Sequence, residues 1–238
     1  MTDSSPHADI PSVTQEPNAP RIKIRPHGSY VVTGNIKLTR RIRISNAQGE
    51  RIGWQAGDDY PIEKSVYKLC RCGYSNNKPF CDEHHEEGVD WDPQLVASRA
   101  PRETRQQILQ GTGMIMTDDV ELCASFAFCD RFDGVWTEIA QTANPQIREQ
   151  LKQQIALCPS GRLQYLLEPG SAPEEVHYEP MIAVIPNGPL WVLGGIPIEA
   201  PDGFVYEVRN RQLLCRCGHS QNKPFCDGTH WRIHFKAP

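Results

Sequence analysis

One cysteine-rich string is written twice in this chain. KLCRCGYSNNKPFCDEHH occupies residues 68–85 and LLCRCGHSQNKPFCDGTH residues 213–230. Both follow C-R-C-G-x-S-x-N-K-P-F-C-D-x-x-H, so Cys70, Cys72, Cys81 and His85 correspond to Cys215, Cys217, Cys226 and His230. A fainter echo precedes each copy: GSYVVTGNI at 28–36 and GPLWVLGGI at 188–196, both reading as a short strand that ends in a glycine turn. The repeated unit is therefore strand, turn, further β structure and cysteine loop. The first copy carries extra chain between echo and motif, where RIRISN and GERIGWQAGDDYP stand. Two units of about 60 residues with few large apolar side chains would each be marginal alone. They are expected to pack on each other as an internal pseudo-dimer, as the halves of a symmetric homodimer would.

Three thiolates and one imidazole make a four-ligand set. It suits tetrahedral zinc, or a [2Fe–2S] cluster in which each iron takes two protein ligands. The C-x-C pair is tighter than the spacing usual for zinc. Gly73 and Gly218 permit unusual backbone angles after the second ligand, and Pro79 and Pro224 fix the chain before the third. Asp82 and Asp227 are placed to N-cap a short helix carrying His85 or His230. Such a helix start would aim backbone N–H groups at a negatively charged cluster.

The rest of the composition narrows the class. The chain has 238 residues, 39% of them hydrophobic, with 20 prolines and 18 glycines. That describes a loop-rich protein with small cores, which often need metal or cross-links. A net charge of −4 gives no electrostatic reason to expect nucleic acid or an anionic membrane. No apolar run approaches the roughly 18 residues that span a bilayer. MTDSSPHADIPSVTQEPNAP has neither a basic nor an apolar signal region, so residues 1–20 read as a disordered tail and the chain as cytoplasmic. In that compartment nine cysteines point to metal or redox chemistry rather than disulfides. No catalytic nucleophile, phosphate loop or general acid–base pair stands out. A carrier is expected, not an enzyme.

The repeated motif resembles the CDGSH iron–sulfur domain, the family of mitoNEET, whose pattern is C-x-C-x2-(S/T)-x3-P-x-C-D-G-(S/A/T)-H. The second copy matches throughout: Cys215, Cys217, Ser220, Pro224, Cys226, Asp227, Gly228, Thr229 and His230. The first matches at Cys70, Cys72, Ser75, Pro79, Cys81, Asp82 and His85; it departs at Glu83, where the family has glycine, and at His84, where it has a small residue. His84 is thereby a rival ligand, though the offset favours His85. The resemblance implies one [2Fe–2S] cluster per motif, with the first two cysteines on one iron and the third cysteine and the histidine on the other. A neutral imidazole ligand raises the reduction potential. It can also take a proton, so the cluster is expected to become labile as pH falls through about 6. Lys78 and Lys223 read either as charges facing the cluster or an acidic partner, or as solvated loop lysines; His219 reads as exposed and non-ligating.

Residues 93–175 differ in character. PRETRQQILQ reads as a short helix and TGMIMTDDVEL as a strand. ANPQIREQLKQQIALCP reads as a longer helix with Asn144 as N-cap, Pro145 first, Ile147, Leu151 and Ile155 on one face, and Pro159 as its stop. The remaining cysteines resemble those of a divergent single-cluster ferredoxin, whose bacterial form is C-x2-C-x2-C with a distant C-P. Cys123 and Cys129 take the outer places, Phe126 the central one, and Cys158-Pro159 the distant one. Three such ligands would hold a [3Fe–4S] cluster, or a [4Fe–4S] cluster with a non-cysteine ligand. The alternative is a ferredoxin-like fold that has lost its cluster and keeps buried thiols for packing.

The expectation is an α+β protein: a tail (1–20), a first CDGSH-type domain (21–92), a divergent ferredoxin-like segment (93–175) and a second CDGSH-type domain (176–238). It would be a monomer serving electron or cluster transfer with a redox partner protein or cluster acceptor, without nucleic acid or membrane. Alternatives are a zinc-stapled interaction module and an electron-delivering accessory subunit of an oxidoreductase.

Overall fold

A computed structural model describes residues 19–238. The expected tail lies outside the described residues except for its last two positions. The architecture is mixed α+β, with small sheets and few helices. In chain order the strands are β1 (Arg21–Ile24), β2 (Tyr30–Thr33), β3 (Lys37–Ser45), β4 (Arg51–Asp59), β5 (Tyr67–Leu69), β6 (Gln107–Gly111) and β7 (Met114–Asp118). Two helices follow, α1 (Val135–Glu138) and α2 (Pro145–Leu157). Then come β8 (Leu163–Leu166), β9 (Met181–Val184), β10 (Leu190–Leu193), β11 (Ile198–Glu199) and β12 (Arg211–Leu214), and last α3 (Thr229–Arg232).

The two repeated units exchange a strand. In the first, β1, β2 and β5 form an antiparallel set, and β1 accepts β11 of the second unit in parallel, Ile22 opposite Ile198. In the second, β9, β10 and β12 form the equivalent set, and β9 accepts β3 of the first unit in parallel, Leu38 opposite Ile182. The crossing points are Gly34 and Gly194, both at positive φ; a Cβ at either would run into the backbone at Ala19–Pro20 or Glu179–Pro180. Exchange merges the apolar faces, so Ile22, Val32, Leu38 and Leu69 share one core with Ile182, Val192, Ile198 and Leu214. The extra chain of the first copy extends β3 and pairs it with β4. Trp54 on β4 then packs on Trp191, Phe128 and Phe126, at ring separations of 4.8, 5.2 and 5.5 Å.

Between the units, β6, β7 and β8 form a three-stranded sheet whose core joins Met114, Met116 and Leu163 to Val135, Ile139, Leu151 and Ile155. The longer helix forms where its signals place it: α2 starts at Pro145, and Asn144 accepts a hydrogen bond from the Gln146 amide. PRETRQQILQ is a correction. It makes one 3-10 turn at Arg102–Thr104, and Gln107 onward is strand β6. Gly111, Thr112 and Gly113 turn the chain so that Gly111 pairs with Met114, and the ladder to β7 outweighs a weak helical preference. Arg211 on β12 ties this segment to the second unit. Its guanidinium donates to the carbonyls of Ile155, Ala156 and Cys158 at 3.0, 2.9 and 2.8 Å and pairs with Glu175 at 3.0 Å. Among the described residues no helix is long and apolar enough to cross a membrane.

Candidate metal centres

Strands β5 and β12 each run directly into a cysteine loop, and the two loops are built alike. The Cys70 amide donates to the Pro79 carbonyl at 2.9 Å and the Cys215 amide to that of Pro224 at 2.8 Å. The Ser75 hydroxyl donates to the Phe80 carbonyl at 2.7 Å, and that of Ser220 to Phe225 at 2.6 Å. Both Lys–Pro bonds, at Pro79 and Pro224, are cis. Asp82 accepts the amides of Asn76 and His84 at 2.7 and 3.2 Å; Asp227 accepts those of Gln221 and Thr229 at 2.8 and 2.9 Å.

These frames bring the expected ligands together in pairs. Cys70 and Cys72 have sulfurs 3.7 Å apart, and Cys215 and Cys217 3.8 Å apart. Cys81 Sγ lies 3.7 Å from His85 Nδ1, and Cys226 Sγ 3.2 Å from His230 Nδ1. His84 turns away, its Nδ1 3.1 Å from Glu87. The histidine helices differ from expectation. One is a 3-10 turn, His84–Glu86, and the other is the single turn α3; their N-cap positions are Glu83 and Gly228, one residue beyond the aspartates. The N–H groups that reach sulfur belong to turns: Tyr74 to Cys72 at 3.4 Å, Glu83 to Cys81 at 3.4 Å and Gly228 to Cys226 at 3.5 Å. Glu83 adopts the left-handed conformation of Gly228, φ 67° against 85°, and its carboxylate is held by Lys68 at 2.7 Å and Arg25 at 3.4 Å.

The two sites are unequally covered. Cys226 and His230 are buried, whereas Cys81 is half-buried. His230 stacks against Trp231 at 4.6 Å and Phe126 at 6.0 Å. Burial pushes its imidazole down to about 4, with Arg216 and Arg43 adding to the effect, and its Nε2 has no hydrogen-bond partner. Burial raises the Cys81 thiol and, strongly, that of Cys226. In each C-x-C pair the hydrogen bond from the second cysteine lowers the first thiol, Cys70 or Cys215. Lys223 is buried, donating to the Ser220 carbonyl at 3.0 Å and pairing with Asp92 at 3.5 Å, and Lys78 bonds the Ser75 carbonyl. Both lysines therefore brace their loops. His219 is exposed, as expected.

The loops also touch each other. A Cβ on Gly73 would collide with the Cys217 carbonyl, and one on Gly218 with that of Cys72. Tyr30, from the first unit, donates its hydroxyl to the Cys215 carbonyl at 2.8 Å. The arginine inside each C-R-C, Arg71 or Arg216, is fully buried. Sequence reasoning passed over both, although the same charge between two ligands in both copies of the repeat was the available signal.

In the middle segment Cys123, Cys129 and Cys158 line one cavity of about 220 Å³, with Phe126, Trp136 and Arg162. Ser125 and Ala127 take positive φ and bend the loop around it. Burial pushes the Cys129 thiol up to about 12. The Ala124 carbonyl accepts the Trp231 indole N–H at 3.4 Å, so this loop lies on the second cysteine loop.

Residues 27–86 and 187–231 match the family model described as iron-binding zinc finger, CDGSH type, and residues 109–168 match one described as divergent 4Fe-4S mono-cluster. No curated protein and no solved structure matches the chain. Two segments of the chain are thus similar to the CDGSH iron-binding family, and the segment between them is similar to a divergent 4Fe-4S mono-cluster family.

Proposed function

We propose that the chain holds two [2Fe–2S] clusters, each through three cysteines and one histidine, and carries electrons or clusters to a partner protein. The observation that carries this is the pairing of the ligands. Two sulfurs on one tetrahedral metal, with bonds of about 2.3 Å, stand about 3.7 Å apart, as the sulfurs of each C-x-C do. The third cysteine and the histidine form a second close pair in each loop. Cys70 and Cys72 would hold one iron of the first cluster and Cys81 and His85 the other. Cys215 and Cys217, then Cys226 and His230, would do the same in the second.

Once bound, each cluster supplies one-electron chemistry at a potential raised by its neutral imidazole ligand. The chain's own residues prepare the sites: turn amides donate to the cysteine sulfurs, and at the second site aromatic rings exclude water from His230. The reciprocal strand exchange supports reading the two units as an internal pseudo-dimer, with the loops meeting at Gly73 and Gly218. The three thiols around one cavity support a third, polynuclear cluster of the [3Fe–4S] or [4Fe–4S] type in a ferredoxin-like insert.

Iron and acid-labile sulfide counts on protein purified without oxygen test this reading. About four of each per chain fits the two outer sites, and about seven or eight irons fits a third cluster. A colourless protein carrying only zinc would overturn it. Incubation with a metal-free acceptor, against reduction by a flavin reductase, then separates cluster delivery from electron delivery.

A further inference from the structure

We propose that the rim of the second site is a docking face for a small acidic electron-carrier protein, seated on Trp231 and held by the cations Arg43, Arg51, Arg232 and Lys236. This rests on the two-cluster reading above.

The repeat supplies the comparison. The eight residues after His85 carry four acids, Glu86, Glu87, Asp90 and Asp92, and no lysine or arginine; the eight after His230 carry Arg232 and Lys236 and no acid. All six of these residues are exposed. The two stretches keep an anchor in common. Pro93 and Pro238, the last of each eight, give their carbonyls to Arg71 and Arg216 at 2.8 and 3.0 Å. The frame is therefore kept while the charge of its outer surface is inverted, and packing gives no reason for that. Nor does bulk charge, since the chain as a whole stands at −4.

Two further cations reach the rim from β3 and β4. The Arg43 guanidinium lies 4.6 Å from the ring of Trp231, the neighbour of Arg232 on α3. Arg51 stands opposite Ser45, two residues along β3 from Arg43; burial and then Arg51 lower the Arg43 guanidinium. Lys236 follows Phe235, whose amide donates to the His230 carbonyl at 3.0 Å. Among the described residues none of these four cations pairs with a carboxylate, whereas at the first site Lys68 and Arg25 hold Glu83, His84 holds Glu87 and Lys223 holds Asp92. Asp227, the acid of the second loop, is taken up by the amides of Gln221 and Thr229. Uncompensated cations steer and orient an anionic partner. The apolar part suits a protein: tryptophan and arginine are enriched at interfaces, and Ile233, next to Arg232, is 43% exposed. Half-buried Trp231 stacks on His230 at 4.6 Å, so a partner seated on it would stand one side chain from a ligand of the second cluster. A net-negative chain lacks the footprint of a nucleic-acid binder, which favours an acidic protein as the occupant.

Titration calorimetry tests this, with protein purified without oxygen and an oxidised flavodoxin as the acidic probe. Binding is expected at low ionic strength and should weaken as salt rises. Arg232→Glu combined with Lys236→Glu should weaken it about tenfold or more, with visible absorbance unchanged. If that pair disturbs the cluster, Arg51→Glu alone, on β4, decides by the same loss of affinity. Glu86→Lys with Glu87→Lys, on the first rim, should not weaken binding. No binding by the wild type, charge reversals without effect, or an equal loss from the Glu86 and Glu87 variant would overturn the proposal. So would a short DNA duplex that binds through the same residues more tightly than the flavodoxin, which would make the face a general polyanion surface. Failure of the two-cluster reading shows elsewhere, as wild-type protein without iron and sulfide.

Discussion

At the scale of single residues, His230 gives the metal-free fold a pH dependence, and as a ligand it should set the acid limit of the second site. An imidazole in water has a pKa near 6.5; burial pushes this one down to about 4. Above 6.5 the ring is neutral whether the metal-free chain is folded or unfolded. Between about 6.5 and 4 only the unfolded chain takes the proton, so folded stability falls with pH and levels off below 4. The full loss is about 3 kcal/mol. The expectation of cluster lability near pH 6 belongs to a solvated imidazole, so the second site should hold its cluster further into acid. Visible absorbance against pH checks this, with His230→Cys as the variant that removes the sensitivity; loss at pH 6 from both sites would refute it. Glu83 offers a second expectation. It holds a left-handed conformation that suits glycine, and its ion pairs with Lys68 and Arg25 are exposed ones, of small worth. Glu83→Gly should therefore raise the thermal midpoint, measured calorimetrically. The eight candidate ligand positions and the departure at Glu83 were legible in the string itself. The burial of Arg71 and Arg216 shows only in the recurrence of C-R-C in both copies, because a single charge between two cysteines reads locally as surface.

At the scale of elements, the helix α2 and the strands of the echo were legible because their signals are local: a capping asparagine, a proline at the first position, a glycine turn. The exchange of β3 and β11 was not. A two-residue strand such as β11 carries no pattern of its own, and its partner β1 lies far away in sequence. β6 was misread for a related reason, since its pairing with β7 decides its conformation. The joint between α2 and β12 gives a prediction at this scale. Arg211 closes three carbonyls at the end of α2 and is paired with Glu175. Arg211→Met would leave those carbonyls without their side-chain donor and the largely buried Glu175 carboxylate without its cation, held only by Gln164 and Asn210. Such losses cost about 3–5 kcal/mol, to be measured by urea denaturation, and Cys158 should become accessible to thiol reagents. A change below about 1 kcal/mol would show that the joint is not what holds α2 in place.

At the scale of the whole molecule, the three cysteine sites form a contiguous series. The cavity loop of Cys123 and Cys129 lies on the second cysteine loop through Ala124, Phe126 and Trp231. The second loop meets the first at Gly73 and Gly218. The place midway between Cys123 and Cys129 is thus filled by a residue that cannot ligate and serves the packing instead. Phe126, wedged among Trp54, Trp231 and His230, is a wall between the cavity and the second site. Phe126→Ala should cost about 3–5 kcal/mol and admit water to His230. The imidazole would then move back toward its solvated value, and the acid limit of the second site would rise toward that of a surface histidine. The first site, on the far side of the loop contact, should be unaffected. Phe126→Leu, which keeps most of the volume, should behave nearly as wild type. An acid titration of visible absorbance resolves the two sites as separate steps. If Phe126→Ala moves both steps together, the series is a single cooperative unit and the wall is not specific to His230; if it moves neither, the aromatic cover is not what keeps that site dry.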